Sequence, residues 1–173
     1  AEATEELLDS AWGAEATEEL LVWIDEEIGL PVDRALSTHF HSDRTGGVAV
    51  LDAAGIPVWS HPMTQRLSAE EGNPVPANAL KGIEAPGSTT GFGSLEVLYP
   101  GGGHARDNIM VWLPDRKMLY GGCAVRELAT DSLGNTADAD LAYWPQAISN
   151  AQATYPEARV VIPGHGKPGG PEL

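Results

Sequence analysis

The sequence predicts a layered α/β fold, and three observations carry that prediction. Short apolar runs alternate with segments of helical periodicity along most of the chain. Glycine and proline stand where those segments should start and stop. The residues able to bind a metal follow the apolar runs, as expected of α/β sheets, where sites form beyond the strand ends. With 173 residues, 42% of them hydrophobic, the chain can bury one core, and residues 1–173 read as a single domain with no linker or low-complexity tract.

Taken in order, the first element is an oddity. AEATEELL occurs at 1–8 and again, letter for letter, at 14–21. The repeat is too short and isolated to signal a repeat architecture. The second copy continues as a helix: Leu20, Leu21, Ile24 and Ile28 recur at helical spacing, and Gly29 is placed to stop it. The first copy has the same helical propensity but runs straight into DSAWG. It reads as an artefact or a redesigned terminus, and residues 1–8 are assigned no function.

RALST (34–38) reads as a short buried strand, RTGGVAVLDAAG (44–55) as a helix ended by Gly55, and IPVWS (56–60) as a second strand. PMTQRLSAEEG (62–72) begins with proline and ends with glycine, as a helix should. Residues 73–93, rich in Pro, Gly, Ser and Thr, read as loop and turns. SLEVLYP, NIMVWLP and KMLYGG are strand-like, with PDRK a turn between the last two. Residues 138–156 are helical around Pro145, which belongs in the first turns. ARVVIPGHG (158–166) is a last strand running into a loop.

Ten Lys and Arg against 25 Asp and Glu give a net charge of -15. This argues against nucleic acid, whose phosphates need a basic surface, and against docking on anionic membranes. No apolar run is long enough to cross a bilayer. No basic-then-apolar leader stands at the N-terminus. The single cysteine, Cys123, rules out an internal disulfide.

Six side chains form a metal-binding constellation. THFHSDRTGG (38–47) places His39, His41 and Asp43 at alternate positions; His104 follows YPGGG, Cys123 follows MLYGG, and His165 sits in PGHG. Six are too many for one catalytic zinc, which takes three protein ligands and keeps a position open. They divide into His39, His41 and His104 on one ion and Asp43, Cys123 and His165 on a second, softer one. His61, at the start of a helix, reads as a packed residue. Ser37 and Ser42 flank the histidines but make no triad, and GGGHARDN ends in a histidine rather than in a phosphate-binding Lys-Ser or Lys-Thr.

The stretches THFHSDRTGG, YPGGGHARDN, LYGGCA, GNTADADLAYWP and VIPGHGKPGG resemble the class B metallo-β-lactamases, nearest to the Cys-containing di-zinc group in its VIM branch. The resemblance runs from about Asp9 to Gly170. It implies the αβ/βα sandwich fold, two Zn2+ ions and the ligand sets just given. It also implies a periplasmic monomer acting on a small β-lactam, with neither nucleic acid nor membrane as partner. Asn135 matches a substrate-facing asparagine, and Arg126 stands where many relatives carry a lysine that meets the substrate carboxylate. Lys167 is a weaker choice for that role. Arg44 matches the basic residue after the Asp ligand in this branch. Relatives carry further strands before the segment that matches DSAWG. Here the octapeptide stands in their place: either the sequence is incomplete or the N-terminal part is truncated or redesigned, and a real truncation would expose a sheet edge and put stability and activity in doubt.

The implied reaction opens the β-lactam amide of penicillins, cephalosporins and carbapenems. A hydroxide shared by the two ions attacks, Asp43 orients it, and Asn135 donates to the developing oxyanion. Two other readings compete. A thioesterase or lactonase of the same fold would carry His after the Asp ligand, where this chain has Arg44. A non-catalytic derivative is suggested only by the N-terminal oddity.

Overall fold

The computed structural model describes residues 5–173 and divides into two compact units, Ala1–Leu80 and Lys81–Leu173. The first unit holds a four-stranded parallel sheet of β1 (Glu5–Leu8), β2 (Val32–Ser37), β3 (Val58–Ser60) and β4 (Asn78–Ala79), in that spatial order. Its helices are α1 (Ala14–Trp23), α2 (Ser42–Thr45), α3 (Val48–Ala53) and α4 (Pro62–Glu71). Ala35, Val48, Leu51, Ile56 and Val58 form its core, with Leu7, Leu21 and Val32 packed against them.

The first octapeptide corrects the helical expectation where it is described. Residues 1–4 lie outside the described residues, and Glu5–Leu8 is a strand. Its backbone joins β2: the Glu5 N–H donates to the Pro31 carbonyl at 3.0 Å and the Asp9 N–H to that of Leu36 at 2.8 Å. Asp9, at φ 64°, then turns the chain out of the strand. The second copy is helical, as expected, and starts from Gly13 at φ 104°. The Thr17 hydroxyl donates to the Gly13 carbonyl at 2.8 Å. Thr17 and Ile24 are buried, and Leu21 packs on the core between them, so the inward stripe has i, i+4, i+7 spacing. α1 continues into a π-helical turn, Ile24–Ile28, closed by Gly29 at φ 68°. The wider turn carries Ile28 off the buried stripe, leaving it exposed, although its spacing placed it there.

The helix expected over 44–55 is two short ones, α2 and α3, split at Gly46 and Gly47. Packing explains the split. A Cβ on Gly46 would lie 2.8 Å from the Gly13 nitrogen, and one on Gly47 would overlap the Thr17 side chain. Gly55 and Gly72 end α3 and α4 at positive φ, as their placement predicted.

The second unit holds a five-stranded sheet of β5 (Ser88–Phe92), β6 (Leu95–Tyr99), β7 (Met110–Leu113), β8 (Met118–Gly122) and β9 (Val160–Pro163). β5 to β8 form an antiparallel meander, and β9 joins β8 in parallel. The parallel step is bridged by a crossover containing α5 (Trp144–Thr154), with Pro145 in its first turn as expected. Leu98, Met110, Trp112, Leu119, Ala151, Tyr155 and Val161 belong to one buried cluster. The Trp112 and Tyr155 rings stack at 4.9 Å, and the Tyr155 hydroxyl donates to Glu96 Oε1 at 2.9 Å. Burial, and then that bond, push the phenol well above its ordinary range. β4 and β5 fall in the stretch read as loop. Among the described residues no helix is long and apolar enough to cross a membrane.

Candidate metal centre

In the first unit, β2 delivers the chain into Thr38 and the motif that follows. The Asp9 carboxylate accepts from the Thr38 N–H at 2.7 Å and from its hydroxyl at 2.9 Å, anchoring the turn. The Thr38 Oγ1 lies 3.4 Å from His39 Nδ1, which leaves Nε2 as the His39 atom directed at its neighbours. That Nε2 stands 3.1 Å from His41 Nδ1 and 3.8 Å from Asp43 Oδ1. The two rings meet edge to face, with centroids 4.7 Å apart. The three donor atoms all lie within 4.8 Å of one another.

Donors of these types suit divalent cations. Two ring nitrogens at such a separation attract only with a proton or a cation between them. On a zinc tetrahedron, with Zn–N near 2.0–2.1 Å, they would stand about 3.3 Å apart. His39 is fully buried, while His41 and Asp43 are half-buried, so one side of the set is open. Asp43 is oriented from behind. Arg44 Nε lies 3.3 Å from Asp43 Oδ2 and 3.7 Å from Asp9 Oδ2, so Oδ1 is the oxygen turned to the histidines. Arg44 is itself buried, its charge shared between two carboxylates.

In the second unit, His104 follows β6, Cys123 follows β8, and His165 follows β9. Cys123 is buried and unbridged, and His165 is exposed. The Cys123 sulfur lies within 4.8 Å of a donor nitrogen of His104 and of one of His165. The glycines around these residues make room. A Cβ on Gly164 would come within 2.6 Å of the Cys123 sulfur. Those on Gly101, Gly102 and Gly103 would press on Tyr143, Asp140 and Trp144.

The remaining sequence-predicted residues are placed as follows. Asn135 is exposed in the segment 126–143, where its Oδ1 accepts from the Ala137 N–H at 3.1 Å. Arg126 lines a cavity in the second unit. Lys167 is exposed, and its backbone N–H donates to Glu127 Oε2 at 2.9 Å. His61 is a buried helix cap whose Nδ1 accepts from the Met63 N–H at 3.0 Å, in keeping with the packed reading. Two residues escaped the sequence reading: Asp9 and Thr38, which position His39 and Arg44. An acidic residue directly after a double leucine was the one available signal for Asp9.

His, Asp and Cys donors at the strand ends of an α/β chain with two sheets form a candidate metal centre. Comparison with known proteins narrows the class. The metallo-β-lactamase superfamily model matches residues 7–165. The type 2 metallo-β-lactamase of Bacteroides fragilis is 38% identical over 167 residues, covering 96% of this chain and 66% of that protein. The crystal structure of a metallo-β-lactamase from Hirschia baltica superposes with a TM-score of 0.95 at 39% identity, covering 99% of this chain and 78% of that one. The metallo-β-lactamase FIM-1 of Pseudomonas aeruginosa, solved in a mono-zinc form, gives 0.92 at 36% identity, covering 98% and 74%. The chain belongs to the metallo-β-lactamase superfamily. It spans 63–66% of the length of the curated relatives it matches.

Proposed function

We propose that the protein is a zinc-dependent hydrolase of the β-lactam amide, with His39, His41 and His104 holding one zinc and Asp43, Cys123 and His165 a second. In this reading residues 1–173 act as one domain, a monomer in the periplasm whose substrates are penicillins, cephalosporins and carbapenems. The observation that carries it is the His39–His41–Asp43 donor set, in a chain similar to named metallo-β-lactamases over most of its length. The relative solved in a mono-zinc form supports zinc as the metal.

Zinc held there supplies Lewis-acid polarisation of the lactam carbonyl and acidifies water towards neutrality. The chain's own residues do the rest. Asp9 and Thr38 fix the His39 ring so that Nε2 faces the site. Arg44 holds Asp43 Oδ2, leaving Oδ1 as the oxygen that would hold the second zinc and face the attacking water. Arg126 offers a planar cation to the substrate carboxylate. Asn135, whose side-chain oxygen already accepts within its own turn, has its amide N–H groups to donate to the developing oxyanion.

The test is turnover of a chromogenic cephalosporin. Activity should vanish with chelator and return with zinc; turnover that ignores chelator would sink the proposal. The ligand division has its own test in the cobalt-substituted protein, where only Cys123 can give a sulfur charge-transfer band. His41→Ala should leave that band largely intact and Asp43→Ala should weaken it; the reverse pattern would reassign Asp43.

A further inference from the structure

We infer that Asn73, just past the C-terminal end of α4, is a positioning residue for the His41 side of the metal centre. The inference rests on the zinc reading of the His39–His41–Asp43 set. His39 and His41 are joined through Phe40, and the two sides of that residue are held from different places. On the His39 side stand Asp9 and Thr38. On the His41 side, the Phe40 carbonyl accepts from Asn73 Nδ2 at 2.9 Å and from the Thr45 hydroxyl at 3.1 Å. That hydroxyl stands equally 3.1 Å from the His41 carbonyl, so its single proton is divided between two acceptors. The Asn73 amide brings a proton of its own. It is the firmer hold on the peptide plane that carries the His41 nitrogen. A plane fixed there fixes the direction in which the His41 side chain leaves the backbone. The Phe40 ring packs against the His41 ring, with centroids 4.4 Å apart.

Asn73 is in place because of how α4 ends. Gly72, at φ 72°, turns the chain through the left-handed region. The Asn73 N–H then donates back to the Ser68 carbonyl at 2.8 Å and the Gly72 N–H to that of Ala69 at 3.4 Å, the two bonds of a Schellman stop. The glycine that ends the helix therefore also aims the next side chain at the metal-binding stretch, 33 residues away in sequence. Gln65, on the same helix, makes a different tie. Its Nε2 donates to the Pro76 carbonyl at 2.8 Å, bracing the segment after α4 rather than Phe40. Asn73 and Gln65 are both half-buried, so the two amides form a matched pair with one difference, the carbonyl each one holds.

Zinc affinity, measured by competition with a chromophoric chelator, tests this. Asn73→Ala removes the amide, and Asn73→Asp keeps its shape but turns an acceptor on the Phe40 carbonyl. Each should weaken zinc binding by about ten-fold or more, the effect of losing a group that orients a metal ligand. Gln65→Ala breaks a bond of the same kind on the same helix. It should lower the urea midpoint about as much as Asn73→Ala does and leave zinc affinity unchanged. In the cobalt-substituted protein the d–d bands should shift in both Asn73 variants while the Cys123 sulfur band stays; neither should move in Gln65→Ala. Wild-type zinc affinity in both Asn73 variants, or an equal loss in Gln65→Ala, would overturn the inference and leave the zinc reading standing. A wild-type protein that takes up no zinc would instead sink that reading, and this inference with it.

Discussion

Residues 5–8 and 18–21 spell the same four letters, EELL, and adopt different structures: an edge strand in one case, the middle of a helix in the other. Both segments bury a leucine on the same core, yet not the same letter. In the strand it is Leu7, the first of the pair; in the helix it is Leu21, the second. The flanks decide. After the first copy comes Asp9, which is buried, holds Thr38 and faces Arg44, and whose positive φ ends the strand. After the second comes Val22, which is exposed, and two residues later the buried Ile24 that extends a helical stripe. Helix propensity is a fraction of a kilocalorie per residue, so tertiary contacts of this kind override it.

The sharpest way to break the comparison is at the letter that follows each copy. Asp9→Ala leaves Arg44 facing one carboxylate fewer in a buried setting and should cost about 3–5 kcal/mol. Val22→Ala should change stability by less than about 0.5 kcal/mol. Urea denaturation of both variants checks the contrast. Next in size is Glu19→Pro, which removes a helical hydrogen bond inside α1 and should cost about 3 kcal/mol. An unchanged midpoint would show that the second copy is not helical in solution.

The leucines give a subtler test. Leu7→Ala and Leu21→Ala should each lose about 1–3 kcal/mol, less than a fully buried leucine, while Leu8→Ala and Leu20→Ala lose less. If the sensitive letter were the same in both copies, they would share one conformation. The smallest effect is one of sign. A β-branched residue favours strand over helix, so Glu6→Thr should stabilise and Glu19→Thr destabilise, each by about 0.5 kcal/mol. Thermal unfolding of the pair reads it out.

The rest of the molecule was legible to the degree that local signals were unopposed. α4 shows its proline start and glycine stop, and β7, β8 and β9 are apolar runs, so pattern and structure agree. β5 was hidden because STTGF is polar and lies in turn-rich sequence. What makes it a strand is its pairing with β6, Phe92 opposite Leu95 across a two-residue turn. The six candidate donors stood out in the sequence because their chemistry is written in residue type. The posts behind them were not: nothing local marks Asp9 as the partner of Thr38, 29 residues away.

The paired glycines that close THFHSDRTGG serve a different customer from the histidines that open it. Gly47 leaves room for Thr17, and Gly46 for Gly13 and for the Ser42 carbonyl of its own turn, so they answer to packing rather than to a metal. The motif is therefore a composite inscription: its first half encodes chemistry, and its second half encodes the fit of a neighbour. The two halves can be edited separately. A descendant whose first helix drifted outward could exchange Gly47 and keep its donors. Another could lose every donor and still be compelled to keep the glycines. Presence of the full signature thus reports on architecture and on reactivity as two distinct inheritances.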